Sequence, residues 1–225
     1  FEIFKNNNII NNKLVYYFAI YSIENYVPKY GQYYIPESLS ILHILDILNL
    51  GKVIQHKITI PEGLTTLETI SRINDNKLLI GKINIEFFDL EGLFLPETYY
   101  FNKGYTRDDL LNRMRNDMQK VLDSVWINRV KSLPYKTKYD VLKMASIIES
   151  ETGAAPEKKL IASVFINRLN KNMKLQSDPT VSYGLEKLNK NKIKKIIKSH
   201  LRIDHAWNTY TRKGLPQSPI SNPGR

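Results

Sequence analysis

Cysteine is absent from all 225 residues, which excludes disulfides and thiolate metal ligands and fits any compartment. The four histidines, His43, His56, His200 and His205, make no H-E-x-x-H or comparable spacing, so neither a catalytic metal nor a cofactor is expected. No run of about eighteen apolar residues occurs, so no membrane-spanning helix is expected within the chain. The opening residues FEIFKNNN resemble neither a signal peptide nor a methionine start. With the abrupt ending Pro223-Gly224-Arg225, they suggest a stretch of something longer, with any membrane anchor outside it.

What is present describes an ordinary globular protein. Hydrophobic residues make up 42% and charged residues 24%, enough for one large or two small domains with a buried core. The net charge of +11 favours a polyanionic partner: nucleic acid, a membrane surface or an acidic polymer. The densest basic run is EKLNKNKIKKIIKSHL, within which Ile193, Ile196, Ile197 and Leu201 form a helical apolar stripe, leaving the lysines as a solvated face. Lys, Asn, Ile and Tyr are abundant along the whole chain, and a coding bias accounts for that equally well. No nucleic-acid-binding motif accompanies the charge.

Residues 1–57 read as a small α+β module. Leu14, Tyr17, Phe18 and Tyr21 stripe one helix, and Leu39, Leu42, Ile44, Leu45 and Leu48 a second, capped by Ser38 and ended by Gly51. Gly31–Ile35 and Val53–Ile60 read as strands. The tyrosines suit either core packing or a sugar platform. Beyond them, Thr65–Ile73 is an amphipathic helix and Glu91–Phe101 an aromatic loop leading into a strand. Arg107–Lys131 is a long helix with Leu110, Met114, Met118, Val121, Leu122 and Val125 inward, and Glu157–Asn170 a helix carrying Leu160, Ile161, Val164, Phe165 and Leu169. The segment Met173–Gly184 reads as a polar loop with Asp178-Pro179 as its turn, and residues 206–224 as ordered loop punctuated by Gly and Pro.

The stretch from Tyr139 to Gly184 organises the rest. Its first half is a helix with Val141, Met144, Ala145, Ile147 and Ile148 at three- and four-residue spacing, stopped by Gly153 and Pro156. Glu151 continues that stripe and is expected to face the core, whereas Glu149, about 200° around the helix, looks elsewhere. Burial keeps a carboxyl protonated towards neutral pH, as a general acid requires. An ordinary acidic residue at a helix end, salt-bridged to a nearby Lys or Arg, is the plainer reading of the same position.

Several motifs together resemble the YceG-like endolytic murein transglycosylases: ASIIESETG (145–153), SVFINRLNKNMKLQSDPTVSYGL (163–185), NTYTRKGLP (208–216) and PISNPG (219–224), with EGLFLPETYYF (91–101) and IPEGLT (60–65). The resemblance runs through essentially the whole chain. It implies a bacterial enzyme held by one N-terminal transmembrane helix, with its domains on the periplasmic side of the cytoplasmic membrane. The implied α+β architecture is a LysM-like module over residues 1–57 and a mixed α/β catalytic domain over 58–225, incomplete at both ends. The implied reaction cleaves the β-1,4 bond between N-acetylmuramic acid and N-acetylglucosamine in nascent glycan strands without water, leaving 1,6-anhydro-muramic ends and setting strand length.

By motif the family's acid, the second Glu of E-x-E-T, falls on Glu151. Gln176, Asp178, Thr180, Asn208 and Tyr210 are the implied sugar-binding set, with Asp178 organising the loop beside Pro179. Peptidoglycan synthases (penicillin-binding proteins) are the implied protein partners, and nucleic acid is not. The chain departs from the family in lacking the transmembrane segment, in stopping after the NPG motif, and in reading Pro216-Gln217-Ser218-Pro219 where a second proline usually follows the first. Three other readings stay open. One is a non-catalytic glycan-binding scaffold, another a basic nucleic-acid-binding protein, and the third a hydrolase pairing Glu151 with Asp178.

Overall fold

Most helices in the computed structural model begin where a short polar side chain can accept an orphaned backbone N–H, and Gly51 closes one in the left-handed conformation. The structure describes residues 1–189, 192, 193 and 195–225, with Phe88 described by its backbone alone. The chain is α+β, mostly helical with one two-stranded sheet. It divides into two units: residues 1–57 with 100–105, and residues 58–99 with 106–225.

The first unit holds α1 (Glu2–Asn6), α2 (Lys13–Tyr21) and α3 (Ile41–Leu50). Phe4, Ile10, Ala19, Ile44 and Leu45 are its buried core, with Tyr16 and Ile20 packed against them. The stripe expected to face inward from α2 does not: Leu14, Phe18 and Tyr21 are exposed, as are Tyr30 and Tyr34. The segment KLVYYFAIY is apolar on nearly every side, so spacing alone cannot choose which face is covered. Ser40, not Ser38, caps α3, because Ser38 sits at φ 68 while Ser40 accepts the His43 N–H. Gly31–Ile35 forms no strand, and the expected Val53–Ile60 strand shortens to β1 (His56–Thr59), paired with β2 (Thr98–Phe101).

The second unit is built on helices. A capping box between Thr65 and Glu68 opens α4 (Thr66–Asn74), and another between Thr137 and Asp140 opens α6 (Lys138–Glu151). Helix α6 packs on α5 (Arg107–Asn128) through Leu95, Met118, Leu122 and Leu142. It packs on α7 (Ala155–Asn170) through Met144, Ile147, Phe165, Leu175 and Ile220, and it also contacts α8 (Asp178–Asn189). Of the apolar residues expected inward on α7, Leu160 and Val164 are exposed, and Phe165 is the buried one.

Asp178-Pro179 opens a helix rather than a turn. Proline fits a first helical turn, whose N–H groups lack intrahelical partners, and Asp178 complements the positive end of the dipole. The helix expected over the basic run is absent from its described isoleucines. Ile193, Ile196 and Ile197 are not helical, and the Ile193 N–H is taken by the Glu186 carboxylate at 2.9 Å. Lys190, Asn191 and Lys194 of that run lie outside the described residues. The tail from 203 onward contains neither helix nor strand, as expected. Among the described residues no helix is long and apolar enough to cross a membrane.

Candidate active site

Helix α6 ends at Glu151 because Thr152 turns extended, with φ −150° and ψ 137°. The two glutamates of its last turn are placed opposite to expectation. Glu149 is the enclosed one, its side chain 8% exposed, with both oxygens 2.9 Å from Lys158 Nζ and one accepting the Gly224 N–H at 3.2 Å. Glu151 is exposed. The single-stripe argument fails because α6 is covered by α5, α7 and α8 at once. Leu142, Ser146 and Glu149 then form a second inward row at i, i+4 and i+7. That row is polar where it meets the tail: Ser146 Oγ accepts the Ile220 N–H, and Ser150 Oγ lies 3.1 Å from Ser221 Oγ. Hydrogen bonding to Glu149 raises the proton affinity of Lys158, which also reaches Glu62 at 3.4 Å.

The exposed Glu151 carboxylate accepts a hydrogen bond from Ser177 Oγ at 2.5 Å. Ser177 is buried and held on every side. Its N–H donates to Thr209 Oγ1 at 3.0 Å, and its carbonyl accepts from Thr180 Oγ1 at 2.7 Å. The loop before it is pinned by Arg168, which donates to the Leu175 carbonyl, and by the Gln176 N–H, which donates to Thr209 O at 3.1 Å. Gln176 adopts φ 55°, a conformation a non-glycine residue holds only when its surroundings impose it, and it is exposed.

Asp178, also exposed, accepts from the Tyr210 hydroxyl at 2.6 Å. Partial burial, then the Asp178 carboxylate, pushes the Tyr210 hydroxyl up to about 12. Thr180 and Asn208 were expected to face sugars, but they lie in the interior at 0% and 1% exposure. Thr180 Oγ1 is 2.9 Å from Thr209 Oγ1. The Asn208 amide donates to the carbonyls of Leu201 and Ile203, and its oxygen accepts from Tyr210 N at 2.7 Å and Thr211 N at 3.2 Å. Both residues shape the loop from within. Glu151, Asp178 and Tyr210 are brought together at the surface.

A groove runs along α8 from this point. Its first cavity, about 390 Å³, is lined by Gly63, Ser150, Asp178, Pro179 and Ser182 among others. Its second, about 480 Å³, contains Leu67, Glu68, Glu91 and Lys187. Thr65, Tyr183 and Glu186 belong to both. Glu91 is 9% exposed, accepting from the Thr66 N–H at 2.8 Å and the Tyr183 hydroxyl at 3.0 Å, and burial raises its proton affinity. Tyr183 is pushed far above the ordinary phenol value, first by burial and then by Glu91.

The tail contributes Ile220 to the wall of the first cavity. Asn222 is completely buried; its oxygen accepts the Phe94 N–H at 2.9 Å and its amide donates to Leu64 O at 3.0 Å. The profile of the YceG-like family matches residues 1–225. The chain belongs to the YceG-like family. The resemblance read from the motifs therefore holds across the whole chain.

This YceG-like chain is 29% identical over 256 residues to the endolytic murein transglycosylase of Bacillus subtilis, an alignment covering 99% of this chain and 69% of that protein. It is 34% identical over 137 residues to the endolytic murein transglycosylase of Streptococcus pneumoniae, where the alignment covers 60% of this chain and spans only 24% of that longer protein. Its fold is similar to the crystal structure of a YceG-like protein from Listeria monocytogenes, with a TM-score of 0.58, 26% identity, and coverage of 99% of this chain and 82% of that one.

Sequence reasoning missed Ser177, Glu91 and Tyr183. For Ser177 the signal was available: Ser-Asp-Pro-Thr is a helix-start pattern, and reading it so would have placed α8 and pointed the serine at the preceding turn. Glu91 carries no such signal. Its enclosure depends on Thr66 and Tyr183, 25 and 92 residues away.

Proposed function

We propose that this YceG-like chain is a lytic transglycosylase of peptidoglycan, acting within glycan strands on the bond between N-acetylmuramic acid and N-acetylglucosamine, with Glu151 as its acid and then its base. The activity named for its relatives supports the reaction class. The observation that carries the choice of residue is the contrast at the end of α6. Glu149 is enclosed, its oxygens taken up by the Lys158 ammonium and the Gly224 N–H. Glu151 stands exposed beside the groove, bonded to a hydroxyl through one oxygen, where a substrate can reach it.

Protonated Glu151 gives its proton to the glycosidic oxygen as the bond to the muramic C1 breaks towards an oxocarbenium-like state. The carboxylate left behind takes the proton from the muramic O6 hydroxyl, and that oxygen bonds to C1, closing the 1,6-anhydro ring. The substrate supplies the nucleophile, so no second carboxylate is needed. Asp178, bonded to Tyr210, organises the rim, while Gln176, exposed, and Tyr210, half-buried, are the groups available to the sugars; Thr180 and Asn208 act by holding them in place. By the same resemblance, residues 1–57 are assigned as a LysM-like module and 58–225 as the catalytic domain. A membrane anchor preceding the module, a role in setting strand length, and synthases as partners belong to the same proposal.

The test is mass spectrometry of glycan strands digested by the wild type, Glu151→Gln and Glu149→Gln. Anhydro-muramic ends that disappear in Glu151→Gln, with the variant still folded, are the expected result. Reducing ends would make water the nucleophile and Asp178 its base. Glycan binding without cleavage would make the chain a scaffold, and loss of anhydro ends in Glu149→Gln alone would move the acid to Glu149.

A further inference from the structure

We propose that Ser177 is a positioning residue for Glu151, fixing one carboxyl oxygen so that the other meets the glycosidic oxygen in both halves of the reaction. The proposal rests on the reading of Glu151 as acid and base. The geometry is that of a rigid donor against a mobile acceptor. Ser177 is buried and its backbone is held at both ends, by Thr209 Oγ1 on its N–H and Thr180 Oγ1 on its carbonyl. Thr180 and Thr209 are themselves buried and bonded to each other. Glu151 is exposed at a helix terminus, and its side chain would otherwise sample several rotamers. The 2.5 Å bond from Ser177 Oγ to Oε1 removes that freedom and leaves Oε2 for the substrate.

A hydroxyl suits this task for a second reason. The proposed Glu151 alternates between carboxyl and carboxylate within one turnover. Lysine and backbone N–H groups donate only, as Lys158 and Gly224 do to Glu149. A serine hydroxyl carries one donor and two acceptor sites, so it stays bonded to the carboxyl whichever oxygen holds the proton. Its donation is nevertheless stronger to the carboxylate. Removing it therefore disfavours the charged form, and the proton is kept to higher pH.

The experiment compares the wild type, Ser177→Ala and Ser177→Thr. Cleavage by Ser177→Ala is expected to fall about 10- to 100-fold in kcat with KM within about twofold, because the lost interaction serves the transition state rather than ground-state binding. The alkaline limb of its pH–rate profile, where the acid form is lost, should move up by about one to two pH units. Ser177→Thr, which keeps the hydroxyl, should restore the limb and most of the rate. The titration midpoint of the Glu151 carboxyl carbon, followed by NMR without substrate and assigned with Glu151→Gln, should rise by the same amount in Ser177→Ala. A rate loss with neither limb nor midpoint moved would make Ser177 merely structural and overturn the proposal, as would full activity in Ser177→Ala. If the wild type cleaves nothing, the reaction assigned above fails, and the NMR midpoint still decides whether Ser177 governs Glu151.

Discussion

Asn222 offers the sharpest test of how the site is held, because its bonds can be removed one at a time. In Asn222→Ala the Phe94 N–H, which the side-chain oxygen accepts at 2.9 Å, is left buried without that partner. A stranded buried donor costs about 1–3 kcal/mol. Leu64 O suffers less, since it also accepts the Asn222 backbone N–H at 2.8 Å. The space vacated, roughly 25 Å³ at about 24 cal/mol per Å³, adds about 0.6 kcal/mol. The variant should therefore lose about 2–4 kcal/mol, a large share of the 5–15 kcal/mol expected of a folded domain.

Asn222→Asp keeps the acceptor for Phe94 but sets a carboxylate against the Leu64 carbonyl. Its proton is then held more tightly folded than unfolded, so its stability should decline as pH rises above about 3.9 and recover in acid. Both tryptophans, Trp126 and Trp207, lie in the second unit, so fluorescence during urea unfolding follows that unit specifically. A loss below about 1 kcal/mol in Asn222→Ala, or a pH-independent Asn222→Asp, would show that the Asn222 bonds do not hold the tail.

Gly184→Ala should destabilise although alanine is ordinarily better than glycine in a helix by about 1 kcal/mol. A methyl there would lie 2.2 Å from His205 Cε1, and His205 is buried. Urea unfolding should give a loss of about 1–3 kcal/mol, partly recovered in Gly184→Ala/His205→Ala; a stabilised single variant would refute the packing argument. Glu91→Gln tests the enclosed carboxyl. Burial makes the folded state hold the Glu91 proton more tightly, so its contribution to stability falls as pH rises from the unfolded value through the raised folded one. Melting temperatures of wild type minus Glu91→Gln should drop across that interval, and parallel curves would exclude it.

Legibility in the sequence followed the range of the interactions involved. Helices α4, α5, α6 and α7 were readable within a few residues, because caps and apolar spacing are local. The turn at Gly51 was readable for the same reason. The faces were not. Leu14 and Phe18 of α2, Leu160 of α7, and the exchanged positions of Glu149 and Glu151 all depend on what covers a helix, which periodicity does not encode when a helix is apolar on nearly every side, as α2 is, or has three neighbours, as α6 has. Glu151 was chosen for an inward position and is an outward one; the residue stands as the candidate acid on its motif and on the hydroxyl beside it. The resemblance, with the chemistry of a hydroxyl and an amide, places Thr180 and Asn208 among the sugar ligands. Here the loop is packed over a polar interior, and those same groups satisfy the backbone.

The tail stitches together segments far apart in the chain: Asn222 to Leu64 and Phe94, Ile220 and Ser221 to Ser146, and Gly224 to Glu149. Contacts spanning 128 and 158 residues form late, since their loop entropy must be met before they reward it. During synthesis, then, α6, α7 and α8 leave the ribosome before residues 219–224 that seat the last turn of α6. A chain halted before them would leave the Ser146 hydroxyl and the Glu149 carboxylate without the backbone donors of Ile220 and Gly224.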